Sequence, residues 1–210
     1  MRCRVLVADD HQLFRQGLRG LLENAGHDVV GEAADGREAL ELAQSLRPDV
    51  AVLDVSMPLL NGLDTARELR RVAPGTKAVL LTMHADRSYV LEAIRAGIKG
   101  YVLKTQASED LIRAIREILR GEMYLSPGIS ASVVGVYLHK TDEPDDPLTS
   151  RERQILQLVA EGNSTKQIAR LLNVSFKTAE SHRNRAMKKL DIHDVAGLVR
   201  YAVSRGLIHA

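Results

Sequence analysis

Short apolar runs alternate with amphipathic stretches from the start of the chain to about Gly121. The runs fall at 5–8, 50–53, 78–81 and 101–103. Each is too short for a buried helix and about right for a buried strand. Between and after them, the stretches 13–22, 36–45, 63–72, 88–96 and 108–120 carry apolar residues at helical spacing. The last is the clearest, with Leu111, Ile112, Ile115, Ile118 and Leu119 on one stripe. Ser108 is placed to cap it, Glu109 and Asp110 suit its positive end, and Gly121 is placed to end it. Strand and helix in alternation predict βαβ units, right-handed crossovers and a parallel sheet with helices on both faces.

The pattern breaks over 122–147. Its end, 141–147, holds two prolines, four acids and no apolar residue, so it reads as an exposed linker. Within it, 129–138 is apolar enough for one short helix. From Leu148 onward the pattern is helical throughout. Thr149 with Glu152, and Ser164 with Gln167, each have capping-box spacing. Gly162 and Asn163 separate the first two helices. A turn at 173–175 precedes the third, with Ser175 as its cap. Asp194 is placed to cap a fourth helix and Gly206 to end it. Two helices joined by so short a turn match a helix-turn-helix. Three segments follow: 1–121, a linker at 122–147, and 148–210.

Composition adds two points. No run approaches the roughly 18 apolar residues of a membrane helix, and the apolar start is too short for a secretory signal, which predicts a cytoplasmic protein with no membrane partner. Cys3 is the only cysteine, which excludes an internal disulfide and a thiolate cluster and leaves it a half-buried strand residue. The net charge of +2 hides an asymmetry. Residues 148–210 hold 11 Lys and Arg against 5 Asp and Glu, a balance of +6, while the remainder carries −4. A basic C-terminal third points to nucleic acid at that end.

The candidate chemistry sits at the ends of the predicted strands. Asp9 and Asp10 follow the first run, Asp54 the second, Thr82 the third and Lys104 the fourth. Open α/β sheets place their ligands at the carboxyl ends of their strands. Three acids, a hydroxyl and an amine are an inventory for a divalent cation and a phosphoryl group. Mg2+ suits such oxygen donors, with Mn2+ as the alternative ion. Asp10 and Asp54 read as direct ligands, Asp9 as one acting through water, and the Ser56 carbonyl as a further donor. A phosphoryl group then moves onto an Asp54 oxygen, with Lys104 neutralising charge and Thr82 hydrogen-bonding a phosphoryl oxygen.

Asp9-Asp10, Asp54 with Met57-Pro58 and Asn61-Gly62, Thr82 and Lys104 together resemble the receiver domain of bacterial two-component response regulators. The resemblance implies a flavodoxin-like α/β fold, a five-stranded parallel sheet in the order 2-1-3-4-5. It implies that Asp54 accepts phosphate from a sensor histidine kinase and that Thr82 and Tyr101 shift together in response. Ser56 and His84 occupy positions where such domains vary in dephosphorylation rate, and His84 reads as a solvated loop residue. Catalysis is then limited to self-directed phosphoryl acceptance and its reversal by hydrolysis.

The second resemblance covers 148–190. Ala160-Glu161-Gly162, Lys166-Gln167-Ile168-Ala169, Val174-Ser175, Thr178, His182 and Lys188-Lys189-Leu190 are similar to the LuxR-type helix-turn-helix of the NarL/FixJ subfamily, a small all-α domain of four helices. In the third helix Ala179, His182, Ala186 and Leu190 form a packing stripe, while Lys177, Glu180, Ser181, Arg183, Asn184 and Lys188 fall elsewhere and are free for a major groove. The resemblance makes Glu180, Ser181 and Asn184 base-facing and Thr165, Lys166, Lys177 and Lys188 phosphate contacts, with Thr178 and Arg183 in the same DNA-binding set. Glu180 can accept from cytosine N4, so it reads as a specificity residue. The implied partners are double-stranded promoter DNA, a second copy on phosphorylation or DNA binding, and RNA polymerase. The preferred reading is a phosphorylation-switched transcription factor. Two others are a constitutive DNA-binding protein with a receiver used only to dimerise, and a metal-dependent phosphohydrolase. Against the last, Ser56 stands where haloacid-dehalogenase-like phosphatases carry a second aspartate.

Overall fold

A computed structural model describes residues 2–83, 87–129, 147–205 and 207–208. The chain forms two compact units. His84, Gly206, most of 129–138 and the acidic linker before Pro147 lie outside the described residues.

The N-terminal unit runs β1 (Arg4–Ala8), α1 (Gln12–Asn24), β2 (Asp28–Ala33), α2 (Gly36–Leu46), β3 (Val50–Asp54), α3 (Gly62–Val72), β4 (Lys77–Thr82), α4 (Arg87–Arg95), β5 (Gly100–Leu103), a 3-10 turn (Lys104–Gln106), α5 (Ala107–Leu119) and β6 (Tyr124–Leu125). All strand pairs are parallel, in the order β2-β1-β3-β4-β5-β6. Side chains alternate between the faces of a strand. One face sets Val5, Val7, Val50, Val52, Val79, Leu81 and Val102 against Leu18 and Leu22 of α1 and Leu111, Ile115 and Ile118 of α5. Each such side chain contributes about 1.5–3 kcal/mol by leaving water. The strand ends are therefore held by a close-packed layer beneath them. On the other face α3 and α4 are tied by Arg67, which bonds Asp64 at 3.0 Å and Glu92 at 2.7 Å.

The helices begin and end for local reasons. The Asp35 side chain caps α2, and Asn61 caps α3 by accepting from Asp64 N at 2.9 Å. Gly121, at φ +87°, closes α5 with bonds from its N–H to Ile118 O and from Glu122 N–H to Glu117 O. Ser108 is not the cap of α5. The 3-10 turn after Lys104 feeds directly into the helix, which starts at Ala107, one residue earlier.

The sheet has one strand more than the five expected. β6 pairs with Gly100 and Tyr101 at the edge, inside the stretch read as linker. Its anchor is Asp110 on α5, which accepts from the Tyr124 hydroxyl at 2.6 Å and from the Ser126 hydroxyl. Burial first, and then this bond, push the Tyr124 hydroxyl up to about 12. Cys3 is also deeper than expected. It is buried, 3.1 Å from His27 Nδ1, and desolvation pushes its thiol up to about 11.

The C-terminal unit holds α6 (Ser150–Ala160), α7 (Thr165–Leu171), α8 (Phe176–Leu190) and α9 (Val195–Ser204). Both capping boxes form, at Thr149 with Glu152 and at Ser164 with Gln167. Ser175 caps α8 and Asp194 caps α9. Asn173, at φ +51°, supplies the left-handed residue that ends α7. Ile155, Leu158, Ile168, Ala179, Ala186, Leu198 and Ala202 are buried. Lys189 on α8 reaches Glu152 on α6 at 2.6 Å. Burial alone would push the Glu152 carboxyl up, but the bonds from Lys189 and Thr149 outweigh it and hold it below the usual glutamate range.

A depressed folded-state value means stability that is present above the ordinary glutamate range and lost as pH falls through the folded value. The α6–α8 packing should therefore weaken in acid. Lys189→Met should make that loss shallower, which thermal unfolding across pH would register. An identical acid slope in wild type and variant would remove the ion pair from the account.

Candidate functional site

The strand ends bring the predicted receiver residues together. Asp9 continues β1, with its N–H on Ala33 O at 3.1 Å, and its own carbonyl accepts from Arg15 at 2.5 Å. Its Oδ1 accepts from the His11 N–H at 2.9 Å. Asp54 is the last residue of β3, and the next N–H, Val55, bonds Leu81 O on β4 at 2.8 Å. Gly62 opens α3 directly against this backbone, with its N–H on Val55 O at 2.9 Å. A Cβ at Gly62 would stand 2.1 Å from Asp54 O, so only glycine fits there.

Asp9 and Asp54 are almost completely buried, and so is the Lys104 side chain. The Lys104 Nζ stands 2.7 Å from Asp9 Oδ2 and 3.0 Å from Asp54 Oδ2. It also lies 4.9 Å from the Phe14 ring centre, a cation–π distance. Burial raises the Asp54 carboxyl above the usual range and Asp9 adds to this, against the opposing pull of Lys104 and of a Ser56 N–H bond. Burial pulls Lys104 down, but Asp54 and Asp9 outweigh that and raise it. One ammonium thus faces two buried acids, with Asp10 beside them at the surface.

That excess of negative charge fits a divalent cation, and so does the donor set. Oxygen atoms of Asp9, Asp10 and Asp54 and a nitrogen of His11 all lie within 4.8 Å of one another. Hard carboxylate oxygens suit Mg2+. His11 was not among the residues expected here. The available signal was its place directly after Asp9-Asp10, which ends the loop into α1.

Thr82 ends β4 and is nearly buried; Tyr101 on β5 is buried. Tyr101 stands opposite Leu80, and Thr82 is two residues beyond Leu80, so strand alternation puts both on the face away from Val79, Leu81 and Val102.

In the C-terminal unit, Lys177, Glu180, Ser181, Asn184, Arg185 and Lys188 line one open groove along α8. Their spacing is that of a single helix face, opposite buried Ala179 and Ala186. Arg185, absent from the expected DNA-facing set, also lines the groove. Arg183 lies off this groove. Its guanidinium donates to Thr165 Oγ1 at 3.1 Å and ties α8 to the start of α7. Thr178 sits in the cap, donating its N–H to Ser175 Oγ at 3.0 Å. Lys166 is exposed at the start of α7, and His182 is half-buried at the edge of the packing stripe.

The family model described as "Response regulator receiver domain" matches residues 5–116, and the one described as "Bacterial regulatory proteins, luxR family" matches 146–202. The chain is 37% identical to the transcriptional regulatory protein MctR of Rhizobium johnstonii over 208 residues, 99% of this chain and 96% of that one. A structure of RcsB from Salmonella enterica serovar Typhimurium, bound to promoter P1flhDC in the presence of the phosphomimetic BeF3−, is 29% identical. The likeness covers 96% of this chain and 98% of that one, with a TM-score of 0.68. A structure of two RcsB dimers bound to two parallel DNAs is 29% identical, covering 97% and 99%, with a TM-score of 0.61. Among the described residues no helix is long and apolar enough to cross a membrane. The chain belongs to the response regulators that join a receiver domain to a LuxR-type DNA-binding domain, a family of transcriptional regulators rather than enzymes in the usual sense.

Proposed function

We propose that Asp54 is the phosphoacceptor of the receiver (1–121), and that its phosphorylation by a sensor histidine kinase in the cytoplasm controls promoter binding by the basic domain (148–210). The observation that carries this reading is Lys104 buried between Asp9 and Asp54 at 2.7 and 3.0 Å. An Asp54 oxygen attacks the donor's phosphorus. The bond to the donor's leaving group breaks as the acyl phosphate forms, and water later cleaves the acyl phosphate, releasing inorganic phosphate and restoring the Asp54 carboxylate. Lys104 holds its positive charge beside the transferred group, where negative charge builds up. The Thr82 hydroxyl donates to a phosphoryl oxygen, and Thr82 and Tyr101 change position together. Asp9, Asp10, Asp54 and the Ser56 carbonyl would hold Mg2+ or Mn2+, which when bound would supply further charge neutralisation beside Asp54.

The basic domain acts as a dimer on double-stranded promoter DNA, and RNA polymerase reads the outcome. The related RcsB structures, one bound to promoter DNA and one of two dimers on two DNAs, support this reading. Lys177 and Lys188 on the groove, with Lys166 and Thr165 at the start of α7, contact phosphates. Glu180, Ser181 and Asn184 meet base edges, and Thr178 and Arg183 hold the helix that presents them.

Intact mass after treatment with a small phosphodonor and Mg2+ tests the first part. Wild type should gain one phosphoryl group and Asp54→Asn none; equal labelling of both would move the acceptor elsewhere. Fluorescence anisotropy on duplex DNA at several salt concentrations tests the second. Lys177→Ala and Lys188→Ala should weaken binding evenly across sequences and lower the salt slope by about 1 each. Asn184→Ala should instead relax base choice at one position, at a cost of about 1–3 kcal/mol. Unchanged binding in all three would take the α8 groove off the DNA.

A further inference from the structure

His11 is the one nitrogen donor in the cluster around Asp54 among the described residues. Its Nδ1 lies 2.8 Å from Asp10 Oδ1, a contact in which the Nδ1 proton is donated to the carboxylate and stands where an ion would take its place, and 3.5 Å from Asp9 Oδ1. An octahedral ion with bonds of about 2.1 Å sets neighbouring ligand atoms about 3.0 Å apart and opposite ones about 4.2 Å apart. The two His11 distances bracket the first value. The full donor set lies within 4.8 Å, wider than the second value, so the side chains would have to close inward to hold an ion. The backbone of His11 is fixed, because its N–H is held by Asp9 and its carbonyl accepts from Arg15 N at 3.0 Å, starting α1. The imidazole itself is 62% exposed at the mouth of the site and packs into no core, so it can turn onto an ion.

Imidazole is a poor donor for Mg2+, which takes oxygen, and a good one for the later first-row divalent ions. A cluster of carboxylates alone separates these ions less than carboxylates with one imidazole. We propose that His11 is a direct nitrogen ligand to transition-metal ions at the phosphorylation site, through Nδ1 with its proton on Nε2, and that it sets the site's preference for such ions over Mg2+. The inference rests on reading the acid cluster as the receiver's cation site.

The experiment is titration calorimetry of the full chain with Mg2+ and, separately, Co2+, whose visible absorption also reports a nitrogen ligand. Wild type is compared with His11→Ala, His11→Asn and Asp54→Asn. Loss of a hydrogen-bond partner behind a ligand costs about 10–100-fold in metal affinity, so loss of the ligand itself should cost at least about tenfold. Co2+ affinity should fall by that much in both His11 variants, with a changed absorption band, while Mg2+ affinity stays as in wild type. Equal Co2+ binding in wild type and the His11 variants overturns the proposal and leaves the cation site standing. An equal fall for Mg2+ and Co2+ also overturns it, because His11 would then act by orienting Asp10. If Asp54→Asn weakens neither ion, or wild type binds neither, the underlying cation-site reading fails instead.

Discussion

Lys104→Met should destabilise the receiver by about 3–5 kcal/mol at neutral pH, the cost of removing one partner from a buried ion pair. The substitution keeps most of the side chain's length and takes away the ammonium that stands 2.7 Å from Asp9 and 3.0 Å from Asp54. Two buried carboxylates are then left facing each other. Burial already raises the Asp54 carboxyl, and loss of Lys104 removes the largest influence pulling it down. A carboxyl raised in the folded state adds stability that is present at low pH and lost as pH rises through its folded value. The deficit of the variant should therefore shrink on acidification. Saturating Mg2+ should shrink it too, by replacing the missing charge. Urea unfolding at several pH values, with and without Mg2+, would show both effects. Phosphoryl acceptance should fall about 10²–10³-fold, as for loss of one fixed charge or donor at a transition state. Wild-type stability at neutral pH would mean that the pair is solvated and contributes little to folding.

Gly62→Ala should be nearly as damaging. The added Cβ meets Asp54 O at 2.1 Å, Asp54 C at 2.8 Å and Val55 Cα at 3.1 Å. All three are backbone atoms, so no side chain can swing aside. The cost should reach the upper end of the about 1–3 kcal/mol typical of overpacking. The end of β3 has to move away from α3, which shifts Asp54 itself. A displacement of about 1 Å at a reacting group can cost about 10²-fold in rate. Thermal unfolding and phosphodonor labelling, measured side by side, should fall together. A variant that labels normally at wild-type stability would show that α3 can shift without moving Asp54.

Gly62 also illustrates what a sequence can and cannot disclose. Asn61-Gly62 was readable as a motif, but its reason, a backbone approach to Asp54 and Val55, exists only in three dimensions. The β1, β3, β4 and β5 strands were readable because each is an unbroken apolar run buried on both faces. β2 was not, because as an edge strand it is only half-buried and mixes Asp28, Gly31 and Glu32 with its valines. β6 has two residues, too few for any period, and depends on the remote Asp110. Asp9, Asp54 and Lys104 were legible because strand ends converge by topology. His11 was overlooked because it opens a helix rather than ending a strand. On α8, periodicity separated the packing side from the groove. It could not foresee that Arg183 would turn to Thr165 while Arg185 took a place on the groove.

On the reading proposed above, a phosphoryl group on Asp54 governs the DNA-binding unit. A switch of this kind needs a difference in binding between two states. The most direct test is light-scattering mass together with affinity for duplex promoter DNA, with and without Mg2+ and a small phosphodonor, for wild type and Asp54→Asn. The donor should raise both the mass and the affinity of wild type and leave the variant unchanged. Wild type that carries the phosphoryl group by intact mass, yet shows the same mass and affinity as before, would contradict it and leave a constitutive DNA-binding protein.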